Sequence, residues 1–85
     1  MQRIFGNVFL TGGSGLLGSE LLAQLLQNRE CDKIVCLVRD FLPKSRFVIE
    51  NLDKQVIVVQ GDIRNQELLD RILNEYEIQT IFHLA

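Results

Sequence analysis

At 85 residues the chain makes one domain at most, and a chain this short hides only about 60–65% of the surface its unfolded form exposes, so its stability is marginal. Its 47% hydrophobic and 24% charged content is globular rather than disordered, and no segment approaches the ~18–20 apolar residues of a membrane span. A net charge of −2 leaves no basic stripe to neutralise phosphates, which argues against nucleic acid as the main partner.

Asn7 to Thr11 reads as a short strand, because an apolar run without alternation marks a parallel strand covered on both faces. It stops at a glycine cluster, out of which a helix over Leu16 to Asn28 opens. Leu16, Leu17, Leu21, Leu22, Leu25 and Leu26 give that helix a wide apolar face, with Glu20, Gln24 and Gln27 toward solvent. Gly18 inside it costs about 1 kcal/mol relative to Ala unless a close approach needs it.

Lys33 to Arg39 is a second buried strand. The stretch Asp40 to Lys54 holds the single proline, Pro43, and is long enough to cross back to a parallel strand, with a short helix near Ser45 to Ile49. Gln55 to Gln60 is the third strand, ended by Gly61-Asp62. Asn65 is the N-cap of a helix through about Glu77, striped by Leu68, Leu69, Ile72, Leu73 and Tyr76. Thr80 to Ala85 opens a fourth strand. The alternation β-α-β-crossover-β-α-β predicts an α/β fold, a partial Rossmann-like parallel sheet of four strands in the order 3-2-1-4 with helices on its faces.

Cys31 and Cys36, with four residues between them, have neither redox nor zinc spacing, and the single His83 cannot complete a metal site. They read as reduced thiols, Cys36 buried in a strand. No secretory pattern precedes the first strand, so the chain reads as cytoplasmic.

The glycine cluster carries the chemistry. Gly13-Ser14-Gly15-Leu16-Leu17-Gly18 satisfies G-x-G-x-x-G, and Thr11 to Gly18 also satisfies T-G-x-x-G-x-x-G, with Gly12, Gly15 and Gly18 as the spaced glycines. Between a strand and a helix, such a turn brings backbone close to a phosphate and points helix N–H groups at it. Arg39 and Asp40 follow Gly18 by 21 and 22 residues, at the end of the second strand, where a dinucleotide's adenosine ribose lies. An acid there accepts from a ribose 2′-OH and an arginine pairs with a 2′-phosphate, so NAD and NADP both stay open, with Arg39 favouring NADP. Asp62 reads two ways, as an acceptor for the adenine amino group with Ile63 as an apolar wall, or as a turn former at the entry to the next helix. His83 reads as a packed, hydrogen-bonded core residue. Tyr76 reads as helix packing, since position 80 is Thr80 and not the lysine that lowers a catalytic tyrosine's pKa.

TGGSGLLG at 11–18, LVRD at 37–40, GDI at 61–63 and IFHLA at 81–85 together resemble the N-terminal part of the extended short-chain dehydrogenase/reductase family, and LNEYEIQTIFHLA in particular its nucleotide-sugar epimerase/dehydratase branch. The resemblance implies a site for NAD or NADP. Gly12, Gly15 and Gly18 would line the pyrophosphate turn, with contacts from Ser14, Leu16 and Leu17. Arg39 would sit by the 2′ position, Asp62 and Ile63 by the adenine, and Leu84 and Ala85 by the ribose and nicotinamide. Gln79 stands where the family often has an acid.

The resemblance also implies catalysis by a Tyr-x-x-x-Lys pair and a Ser or Thr, none of which this stretch contains. The expectation is therefore a dinucleotide-binding N-terminal fragment spanning 1–85, inactive alone and meeting a nucleotide sugar only in a complete enzyme. A non-enzymatic dinucleotide-binding or redox-sensing module of the same fold is the alternative. The fourth strand, as an edge carrying Ile81, Phe82 and Leu84, predicts self-association or a partner fragment.

Overall fold

The structure is a computed structural model and describes residues 3–40 and 42–84. Four parallel strands, β1 (Gly6–Thr11), β2 (Cys31–Val38), β3 (Ile57–Gln60) and β4 (Thr80–His83), form one sheet in the order β3-β2-β1-β4. This is the order expected from the alternation of elements. Helix α1 (Leu16–Asn28) joins β1 to β2. A single-turn helix, α2 (Arg46–Ile49), and a 3₁₀ turn over Leu52–Gln55 lie in the crossover to β3, and α3 (Gln66–Glu75) joins β3 to β4.

The central strands β1 and β2 carry continuous apolar runs because they pack on both faces. Val8, Leu10, Ile34, Cys36 and Val38 meet Leu22 and Leu25 of α1 with Phe47 and Leu52 of the crossover. Phe9, Val35 and Leu37 point the other way, onto Ile72 with Leu68, Leu69 and Leu73 of α3. Successive strand residues thus feed two separate cores, as the period of two requires.

The element limits differ from the sequence reading in physically simple ways. β1 begins at Gly6, whose φ of 60° makes the irregular register beside Asn7. β2 starts two residues earlier and ends at Val38, the partner of Gln60, so Arg39 lies just beyond the ladder. β3 is shorter than Gln55 to Gln60, since the 3₁₀ turn takes Gln55. α3 ends at Glu75, and β4 at His83. The Asn65 N-cap forms as the sequence predicts, its side chain accepting the Leu68 N–H.

Leu16 and Leu17 do not join the apolar face of α1; they are 87% and 77% exposed. The first turn overhangs the end of the sheet, so the core-facing stripe begins with Gly18 and Ser19 and continues through Leu22 and Leu25. His83 is exposed rather than packed, because β4 is an edge strand and His83 is its last residue. Cys36 is fully buried, and Cys31 is half-buried at the start of β2; both are free thiols. Ala85 lies outside the described residues. Among those residues no helix is long and apolar enough to cross a membrane.

Candidate functional site

The register of the sheet sets Thr11 level with Leu37 and His83, and Val38 level with Gln60, so the carboxyl ends of all four strands finish together. Above three of them opens a cleft of about 530 Å³, lined by Thr11, Gly12, Ser14, Leu37, Val38, Arg39, Asp40, Leu42, Gly61, Asp62, Ile63 and Arg64. Three separate loops, after β1, β2 and β3, meet there. Open parallel sheets place their ligand sites at this end.

The first wall is the glycine turn. Gly12 takes a left-handed φ of 77°, which favours glycine. Gly18 lies against the turn: a Cβ there would stand 2.6 Å from the Gly12 carbonyl carbon and nearer still to its oxygen. Gly18 therefore serves a backbone-to-backbone approach of α1 on the turn. The buried Ser19 hydroxyl donates to the Gly13 carbonyl oxygen at 2.8 Å and ties the same two segments. The sequence reading missed Ser19; a polar residue three positions before Leu22, on the core stripe, was its signal.

Gly15 is the N-cap of α1, and no side chain caps it. The first turn carries no acidic residue, so its positive pole is left unneutralised by the chain itself. Gly15, Leu16 and Leu17 are exposed beside the cleft mouth rather than lining it, and Gly18 is buried.

The second wall is charged. Arg39 and Asp40 leave the end of β2 exposed, and among the described residues neither side chain has an ion-pair partner. The crossover that follows is tied back to α1 by Arg46, which reaches Glu20 at 2.5 Å and Glu50 at 2.6 Å. The Arg46 bond, with a second from Gln24, holds the Glu20 carboxyl below its ordinary pKa.

The third wall is the loop after β3. Asp62 and Ile63 line the cleft together with Arg64, which the sequence reading did not single out. The Arg64 guanidinium donates from Nη2 to Asp62 Oδ2 at 2.7 Å and from Nε to Oδ1 at 3.1 Å, and its backbone N–H reaches Oδ1 at 2.8 Å. Those bonds, above all, hold the Asp62 carboxyl well below the usual carboxylate range. The spacing Asp62-x-Arg64 in a turn was the available signal.

Leu84 is partly exposed at the end of β4 and does not line the cleft. Its N–H reaches both the carbonyl oxygen and Oγ1 of Thr11, each at 3.2 Å. Thr11 Oγ1 is also paired with His83 Nδ1 at 2.7 Å. Tyr76 lies at the opposite end of the sheet, its carbonyl accepting from Asn7 Nδ2 and its ring beneath the Lys33 ammonium. Among the described residues no group of three or more His, Cys, Asp or Glu side chains is gathered to hold a metal ion.

A family model described as GDP-mannose 4,6 dehydratase matches residues 9–85. The chain belongs to this family. The match runs from β1 through the glycine turn and all three cleft loops to β4. UDP-glucose 4-epimerase of Klebsiella pneumoniae is 37% identical over 83 residues, spanning 92% of this chain and 57% of that protein.

Two solved structures carry the same fold. The dTDP-glucose 4,6-dehydratase of Bacillus anthracis, solved in complex with NAD, superposes with a TM-score of 0.77 at 26% identity, covering 93% of this chain and 26% of that one. Leucoanthocyanidin reductase of Vitis vinifera, solved with NADPH, gives a TM-score of 0.78 at 28% identity, covering 94% and 27%. This member of the dehydratase family thus spans 57% of one relative and about a quarter of the two solved chains.

Proposed function

We propose that residues 1–85 form the adenosine-pyrophosphate half of a nicotinamide-dinucleotide site, within an epimerase/dehydratase that acts on a nucleotide sugar. The observation that carries this reading is the uncapped, acid-free N-terminus of α1 behind the Gly12 turn, opening beside a cleft that ends at Arg39, which has no ion-pair partner among the described residues. The residues suit the group. Gly12 and Gly15 let backbone approach a pyrophosphate, which the first-turn N–H groups of Leu16 and Leu17 would bind with the helix dipole. Asp62 and Ile63 would hold the adenine, Arg39 or Asp40 the ribose 2′ position, and Leu84 with Ala85 the nicotinamide side. Arg39 favours NADP over NAD.

When bound, the nicotinamide supplies hydride transfer; this stretch binds and orients and has no Tyr-x-x-x-Lys pair to move the proton. The 85-residue chain alone therefore binds cofactor weakly and turns over no nucleotide sugar. Titration with NADP and NAD by calorimetry tests the reading. Saturable binding of either, lost on Gly15→Val at the turn, is the expected result; no binding at millimolar dinucleotide overturns it.

The unpaired outer edge of β4, with Ile81 and Leu84 exposed, is the surface through which the chain associates with itself or with a partner fragment. Two reduced thiols fit a cytoplasmic protein.

A further inference from the structure

We infer that Arg46 is a positioning residue for the bound dinucleotide: by clasping Glu20 of α1, it sets the spacing between the glycine turn and the wall that carries Arg39 and Asp40. The role rests on the proposed dinucleotide site, since only a ligand that reaches from one wall to the other senses their spacing.

The two walls belong to different segments of the chain. The glycine turn is joined to α1 by the approach of Gly18 to Gly12 and by the Ser19 bond to Gly13. Arg39, Asp40 and Leu42 open the crossover instead. There Ser45 donates to the Leu42 carbonyl oxygen twice, from its N–H at 3.0 Å and from its hydroxyl at 2.7 Å. The Ser45 carbonyl in turn receives the Ile49 N–H at 2.9 Å. The turn at Leu42 and helix α2 are thereby one unit.

That unit meets the first wall through Phe47 and Arg46. Phe47 is buried, its Cε1 3.9 Å from where a Cβ on Gly13 would stand. An apolar contact is non-directional, so it holds the crossover near the turn without fixing how it is rotated. Arg46 supplies the direction. Its planar guanidinium donates from Nη1 to Glu20 Oε2 at 2.5 Å and from Nε to Glu50 Oε2 at 2.6 Å. Gln24 braces the other Glu20 oxygen at 3.0 Å. Glu20 follows Leu16 by four residues on the same face, one turn beyond the N–H groups proposed for the pyrophosphate. With side chains 35–54% exposed, these bonds add little to global stability, so their consequence is local.

The test is calorimetric titration of the 85-residue chain with NADP, for the wild type, Glu20→Ala and Glu50→Ala. Each variant takes one carboxylate from Arg46 at similar exposure, but only Glu20→Ala cuts the tie between the two segments. Glu20→Ala is expected to weaken NADP about threefold, within what an exposed ion pair supplies, with its thermal midpoint nearly unchanged. Glu50→Ala should bind NADP as the wild type does. Losing a negative charge would by itself favour an anionic ligand, so the expected loss has the sign opposite to a bare charge effect. Unchanged or tighter binding in Glu20→Ala overturns the clasp alone. An equal loss in both variants, or a loss matched by a fall in the midpoint, overturns it too. A wild type that binds no NADP overturns the dinucleotide site, and this inference with it.

Discussion

Gly18 of α1 lies so close to Gly12 of the preceding turn that no side-chain carbon fits between them. A helix interior favours Ala over Gly by about 1 kcal/mol, yet here the extra methyl would meet backbone atoms that have nowhere to go. Gly18→Ala is expected to destabilise the chain by about 2 kcal/mol despite its better helix propensity, an overpacking cost. In a domain of this size that lowers the thermal midpoint by roughly 10 °C. Thermal unfolding by circular dichroism checks it, and an unchanged or raised midpoint would contradict the contact.

Arg39 stands exposed at the end of β2 without an ion-pair partner among the described residues, beside an equally exposed Asp40. Arg39→Ala should weaken NADP about tenfold and leave NAD nearly unchanged, while Asp40→Ala should affect NAD more than NADP. Paired titrations with the two dinucleotides read this directly. Equal losses for both in Arg39→Ala would remove Arg39 from the 2′ position.

Asp62 keeps its charge well into acid because Arg64 supplies donors to both oxygens. A depressed folded pKa contributes stability above the unfolded value of about 3.9, and that contribution is lost as pH falls through the folded value. The pair is exposed, so the effect on stability is small, but the titration itself is measurable. Carboxyl carbon chemical shifts should show Asp62 titrating below the ordinary carboxylate range, and Arg64→Gln should raise it only part of the way back, since the backbone N–H at that position and the Arg39 charge remain. Ordinary titration of Asp62 in the wild type would show that the pair does not persist in solution.

Cys36 is sealed between the sheet and the crossover, and burial pushes its thiol up to about 12. Cys31 is half-buried, and desolvation with the charges of Glu30 and Asp32 raises its thiol as well. One thiol per chain should react with a disulfide reagent in the native state and both after denaturation. A raised folded pKa gives stability that is complete below the unfolded value, near 9, and falls away toward about 12. Denaturant midpoints should therefore decline between those pH values, and Cys36→Ala should remove most of the decline.

β4 presents an unpaired edge on which Ile81 is 54% exposed. Sedimentation at tens of micromolar is expected to show association, and Ile81→Lys to reduce it, since charge on an edge strand opposes pairing. A monodisperse wild-type monomer would remove the edge as an association surface.

Much of this molecule is legible in its residues. Continuous apolar runs of strand length, a leucine-rich helix and an Asn65-capped amphipathic one specify alternating elements, and the handedness of crossovers leaves few ways to connect them. Gln79, which departs from the family's usual acid, also finds a local reason. Its side-chain oxygen accepts the Asn7 N–H at 2.9 Å, while its own N–H donates to the Asn7 carbonyl at 2.8 Å. A neutral amide oxygen serves that bond as a carboxylate would.

The element order, the strand order and the glycine turn follow from local periodicity and backbone sterics, and are readable along the chain without its packing. Which leucines pack was decided only in three dimensions, because the first turn of α1 overhangs the sheet and leaves Leu16 and Leu17 in solvent. The exposure of His83 likewise depends on β4 lying at an edge. The pairing of Asp62 with Arg64, and the tie of Ser19 to Gly13, have a signal in the spacing, but the partner each finds depends on side-chain directions that spacing alone does not fix. Periodicity says which face a residue takes; only packing says what that face meets.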